Sequence, residues 1–191
     1  MIRPVLVGFA LSLASILAAC GGDPPAPTTP VTLDALAAQF QAARATSDDA
    51  KATALAWSMV PTKADLATIV AKSPAADAFL AAFKFVDLPS TDAAVKGLGQ
   101  QLFVPGDPTR TETKVYAATT EEIVAYAPGS VAFDEFPGGM RRFAAIAAPG
   151  RTFYAVEHVA PAGDTGMKYT CFTRVGDRWI FLPKPWGAIP D

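Results

Sequence analysis

Residues 166–182 read GMKYTCFTRVGDRWIFL, and this stretch decides the fold. Val175-Gly176-Asp177-Arg178 has the composition of a two-residue hairpin turn between two apolar-rich, β-branched and aromatic runs. A turn there pairs Arg174 with Trp179 and Phe172 with Phe181 on one face. Cys171 with Leu182 and Thr173 with Ile180 then share the other. Upstream, 151–160 is a third strand, so the C-terminal third is an antiparallel meander. The longer connection between 160 and 166 fixes its register less tightly. Glu157 is expected opposite Lys168, Ala160 opposite Met167 and His158 opposite Tyr169. Residues 111–118 alternate like one further strand.

Both faces of this meander are substantially apolar. One can pack on helices. The other needs a second cover, a partner or a ligand, the cover being 140–147 or the tail 183–190. The helices lie upstream. Thr32 precedes Leu33, Leu36 and Phe40 at helical spacing. Ser47 with Asp48-Asp49 offers a cap and an acidic first turn. Thr62 and Asp65 form a capping box, and Ser73-Pro74 starts another helix carrying Phe79, Leu80 and Phe83. Ser90 caps a last short one through Val95 and Leu98. Thr119 with Glu122 caps a short helix between strands, whereas 130–148 is ambiguous around Pro137-Gly138-Gly139. The expectation is an α+β domain over 31–191, with an N-terminal layer of short helices on a C-terminal antiparallel sheet of three meander strands plus one. On element order alone this resembles the cystatin-like or nuclear-transport-factor-2-like cone folds, and no functional residue is carried over from them.

Residues 1–19 have the three parts of an export signal: a short n-region with Arg3, an uncharged run over 4–17, and small residues before Cys20. The run is shorter than the roughly 20 residues of a spanning helix. Leu17-Ala18-Ala19-Cys20, followed by Gly21-Gly22, resembles the lipobox of bacterial lipoproteins. The resemblance implies a diacylglyceryl group on the Cys20 sulfur, cleavage before it, and acylation of the new amino group. Two or more chains hold a protein stably to a bilayer where one does not. With no Asp after Cys20, the resemblance points to the cell envelope and, in a Gram-negative host, to the outer membrane facing the periplasm. Residues 21–30, GGDPPAPTTP, make a proline-rich tether.

Cleavage removes Arg3, leaving 15 of the 16 Lys and Arg against 18 Asp and Glu, a net charge of about −3. Without a basic cluster, nucleic-acid binding is excluded. With Cys20 lipidated, Cys171 is the remaining thiol, so no intramolecular disulfide forms. One histidine and one thiol do not make a zinc site, and no cofactor motif is present. No G-x-S-x-G or phosphate loop occurs. Asp164-Thr165-Gly166 matches the aspartic-protease tripeptide by chance, because a turn rather than an apolar strand precedes it. Glu121-Glu122 and Asp134-Glu135 read as helix capping and solvated loop. His158 and Cys171 could form a nucleophilic dyad if they share a face, but no third group is evident.

Candidate contact residues are Tyr154, His158, Phe172, Arg174, Trp179 and Trp186, an aromatic set with one guanidinium that suits a stacked ligand or a partner anchor. Three functions compete. The first is a non-enzymatic envelope module that binds a partner or forms a homodimer through the open sheet face. The second binds a small ligand between sheet and helices near Tyr154, Phe172 and Trp179. The third is a hydrolase-type enzyme centred on His158.

Overall fold

The computed structural model describes residues 31–83, 92–104, 107–161, 163 and 166–190. The signal, Cys20, the tether, the Ser90 cap, Pro105-Gly106 and Asp164-Thr165 lie outside them.

Five helices come first: α1 (Leu33–Ala45), α2 (Asp49–Met59), α3 (Lys63–Ile69), α4 (Pro74–Ala82) and α5 (Asp92–Gln101). Strand β1 (Glu112–Thr119) leads into α6 (Thr120–Ala125), α7 (Val131–Glu135) and α8 (Met140–Ala144). Strands β2 (Thr152–Val159), β3 (Met167–Val175) and β4 (Arg178–Phe181) follow, with a closing 3-10 helix (Pro185–Ala188). The sheet is antiparallel throughout, in the order β1-β2-β3-β4. The fold is therefore α+β, with the meander and the additional strand where the alternation places them.

Local chemistry starts most of these helices where the sequence does. Thr62 and Asp65 close a full capping box, as do Thr119 and Glu122. Ser73 Oγ accepts from the Ala76 N–H, with Pro74 in the first turn. Two caps differ from expectation. Thr32 occupies the N-cap position of α1 without its side chain accepting a backbone N–H of the helix. The cap of α2 is Asp48, whose carboxylate accepts from Lys51 N–H; Ser47 instead takes the left-handed conformation that turns α1 into α2. A carboxylate suits the positive end of a helix better than a hydroxyl does.

The hairpin register holds: Arg174 faces Trp179 and Phe172 faces Phe181. In the second pair, Glu157 faces Lys168 as expected. His158, however, faces Met167, and Tyr169 faces Val156, while Ala160 lies beyond the end of β2. Moreover, Tyr154 pairs with Phe172 but Ala155 with Thr170, so Cys171 is an extra residue in a β-bulge, with φ 73°. A bulge reverses the inward–outward alternation beyond it. Tyr169 and Phe172 consequently share one face, and Cys171 turns to the other.

That sheet divides two cores. On one face Val156, Phe172 and Trp179 pack with Phe40, Met59, Leu102 and Phe103, so α1, α2 and α5 cover it. On the other, Phe153, Cys171, Ile180 and Leu182 pack with Leu66, Phe79, Ile123, Met140 and Phe143. The N-terminal helices are thus not one layer: α3 and α4 join α6, α8 and the C-terminal tail on the second face. Trp186, Ala188 and Ile189 pack against that core, which is the cover expected of 140–147 and the tail. An isolated bridge, Val70 to Ala147, ties the end of α3 to the end of α8.

Candidate functional site

Four of the six candidate residues lie together on the face covered by α1, α2 and α5. The rings of Tyr154 and Trp179 meet edge to face at 5.0 Å, and the Arg174 guanidinium lies 5.5 Å over Trp179. Trp179 Nε1–H donates to the Val31 carbonyl at 2.7 Å, holding the residue before the N-cap of α1 on the sheet. Phe172 lies beneath, fully buried between Phe103 and Phe181, so it supports the wall without forming part of its surface.

Tyr154 and Arg174 are a wall common to two open clefts. One, of about 250 Å³, runs between the first turn of α1 and the sheet, and Val31, Leu33, Val115, Trp179 and Asp34 complete its lining. The second, of about 360 Å³, lies at the end of the sheet, lined by Arg151, Gly150, Thr152 and Thr173. Gly150 N–H is already committed to Glu121 Oε1 at 2.8 Å, which pins the loop entering β2. Arg151 was not legible as a site residue. A lone arginine at a strand start has no motif, and only the fold brings it beside Arg174.

The other two candidates lie elsewhere. Trp186 packs on the opposite face, where its ring leaves no room for a Cβ at Gly139. It therefore does not join the Arg174–Trp179 cluster. His158 is on the cluster's face but is fully buried. Its Nδ1 lies 3.1 Å from Thr113 Oγ1 and 3.4 Å from Gln41 Nε2, while Nε2 has no partner. Phe103 and Tyr169 present ring contacts to the imidazole. Burial, reinforced by the nearby Arg44 charge, holds its pKa below the ordinary histidine value. A neutral imidazole without exposed surface has no contact with a substrate unless the sheet opens.

The bulge also separates His158 from Cys171, which points at Met140 in the opposite core, so the two form no dyad. Burial pushes the Cys171 thiol well above its ordinary pKa. In a chain carrying Cys20→Ala, where Cys171 is the sole thiol, 5,5′-dithiobis(2-nitrobenzoate) is expected to give no release from the native protein. It should give one equivalent after unfolding; rapid native labelling would show the thiol exposed.

A polar network was also missed. Glu157, expected to be a strand residue facing Lys168, is buried and accepts from Tyr116 Oη at 2.9 Å and Gly166 N–H at 2.9 Å. Lys168 bonds Glu135 and lies 3.8 Å from Glu157. Glu135 is thus part of an ion pair rather than a solvated loop. Burial first, then the bond to Glu157, raises the Tyr116 pKa. Lys168 thus lies within ion-pair distance of two carboxylates, and the network joins α7 to the sheet.

Among the described residues no group of three or more His, Cys, Asp and Glu is placed to hold a metal ion, and no helix is long and apolar enough to cross a membrane. No family model matches the chain, and no curated protein or solved structure is similar to it.

Proposed function

We propose that this chain is a lipid-anchored protein of the bacterial cell envelope whose domain is a non-enzymatic small-ligand-binding module. The Tyr154–Arg174–Trp179 wall is its recognition surface. The observation that carries this reading is the convergence of those three side chains on one open cleft, with Tyr154 and Arg174 also lining a second beside it; the two volumes approach or reach the range of about 300 Å³ upward typical of small-molecule sites. Aromatic faces beside a guanidinium supply stacking and charge together. The reading through an uncovered sheet face, for a partner or a homodimer, loses its surface because helices cover both faces.

The anchor supports the same reading. A Cys20 tether would enter the fold at Val31, which borders the first cleft and is held by Trp179. The binding wall then lies beside the point at which the tether leaves. Ten residues, if extended, reach roughly 30 Å at about 3.1 Å per residue.

Two measurements test the proposal. Labelled palmitate should enter the wild-type chain and be absent from Cys20→Ala, which should leave the membrane fraction; label in that variant would defeat the anchor. Native mass spectrometry of the mature chain from a bacterial host should show a small-molecule adduct that Trp179→Ala loses. An adduct retained by a folded Trp179→Ala would place the ligand elsewhere.

A further inference from the structure

The two clefts differ in chemistry, and that difference specifies a ligand class. Arg151 is half-buried, and among the described residues its guanidinium has carbonyl partners alone. Its Nη1 donates to the Arg174 carbonyl at 2.8 Å and its Nη2 to the Thr68 carbonyl at 2.6 Å. Its Nε is buried without a partner, and no carboxylate among the described residues lies within ion-pair distance. Arg174 borders the same cleft. Among the described residues its one ion pair is with Asp177, 3.7 Å away on a side chain that is 92 % exposed, and its Nε is likewise buried without a partner there.

Both arginines line one cleft, and withdrawing guanidinium charge from water is unfavourable. Neutral carbonyls orient a guanidinium but do not cancel its charge. Burial accordingly lowers the Arg151 pKa with nothing opposing it. In the Glu157–Lys168–Glu135 network, by contrast, the same sheet pairs its charges. The loop at Gly150 offers no alternative anion seat, because its N–H is held by Glu121.

The neighbouring cleft is apolar along Val31, Leu33, Val115 and Trp179. Among the described residues Asp34, at its edge, is the sole carboxylate lining either cleft, and its pKa is lowered first by the bond from Thr32, so it stays ionised. A negative head group is therefore repelled from the apolar cleft and attracted to the other.

We infer that the site takes an amphipathic organic anion, with a carboxylate or phosphate head between Arg151 and Arg174 and an apolar tail along Val115, Tyr154 and Trp179. Planar guanidiniums match such heads through paired N–H bonds. This inference rests on the ligand-binding reading above and adds the sign and shape of the ligand.

The test uses the mature chain from a bacterial host, in zwitterionic nanodiscs when it carries lipid, with empty discs as blank. Calorimetry compares 4-phenylbutyrate with its neutral counterpart 4-phenylbutanol. The acid is expected to bind at least tenfold more tightly, with its advantage shrinking as salt is raised. Arg174→Gln should remove the difference between acid and alcohol. Arg151→Gln should do likewise, but it also removes the bonds to Thr68 and Arg174; Arg174→Gln therefore decides if that variant does not fold. Equal binding of acid and alcohol overturns the anion seat and leaves the binding module standing. A tenfold preference that survives Arg174→Gln also overturns it. Binding of neither probe overturns both readings. Adding phosphatidylglycerol to the disc identifies the source: competition with the acid supports the seat with a lipid head group in it, and undisturbed binding supports it with a diffusible acid.

Discussion

Replacing Phe172 by alanine is expected to lower the free energy of unfolding by about 3–5 kcal/mol, the range for emptying a buried phenyl site. The ring has no exposed surface. It is stacked on Phe103 at 5.2 Å with 13° between planes, and on Phe181 at 4.8 Å. Phe103 in turn contacts Phe40, so truncation opens a void between the sheet and α1. Phe172 also adjoins the bulge that sets which residues of β3 face which core. Neighbouring rings are held on several sides and can close the void only in part, which places the loss in the upper part of the range. Equilibrium urea unfolding checks the prediction. The midpoint should fall while the denaturant slope stays constant. Val124→Ala is the control: that side chain is exposed, and its truncation should change stability by less than about 0.5 kcal/mol. A Phe172→Ala chain as stable as the control would mean that the two helical layers do not grip the sheet as described.

The second large effect is at Asp65, where Asp65→Ala should cost about 2 kcal/mol at neutral pH. This carboxylate is nearly buried, and its Oδ2 accepts from Thr62 N–H at 2.7 Å, Thr62 Oγ1–H at 2.8 Å and Arg178 Nη1–H at 3.2 Å. Removing it takes the acceptor from Thr62 N–H and so leaves half of the capping box, the bond from the residue-65 N–H to Thr62 Oγ1, and it frees Arg178 from the link between β4 and that helix. Because Arg178 is half-exposed, the ion pair itself contributes little, and most of the loss comes from the cap. Burial acts to raise the Asp65 pKa, but the Thr62 bonds and the Arg178 charge together outweigh it, so the net shift is downward. The native state therefore binds the proton less readily than the unfolded chain. The contribution of Asp65 is complete above the unfolded value of about 3.9 and fades as pH falls through the lower native value. Wild type and Asp65→Ala should differ most near pH 7 and converge toward pH 3. A gap that widens on acidification would reverse the assigned sign.

Recognition of the elements and assembly of the site draw on different physics. The 175–178 turn, the Thr62–Asp65 and Thr119–Glu122 boxes, and Ser73-Pro74 are local devices, complete within a few residues, and the structure keeps each of them. Alternation also places Phe172, Arg174 and Trp179 on one face; Tyr154 joins them only because the bulge sets it opposite Phe172. Alternation fails where one extra residue enters a strand. Cys171 changes face relative to Tyr169 because of the bulge, and no residue type around it announces an inserted position. The His158–Cys171 proximity depends on unbroken alternation, so it fails with it. Trp186 separates from Trp179 because the tail crosses to the opposite face of the sheet.

From sequence alone come the α+β class, the four strands, the hairpin register, most helix starts, and the expectation of a lipid anchor at Cys20. All of these rest on interactions within a turn, a strand pair or a short peptide signal. The tertiary structure alone decides that α1, α2 and α5 cover one sheet face while α3 and α4 cross to the other. It alone buries His158, pairs Glu135 with Lys168, and brings Arg151 beside Arg174 next to an apolar cleft. Arg151 bonds to the carbonyl of Thr68, 83 positions away in sequence, and to that of Arg174, 23 positions away. Contacts at such separation depend on how whole layers pack, because side-chain periodicity specifies the direction a residue faces but not the element that arrives to meet it.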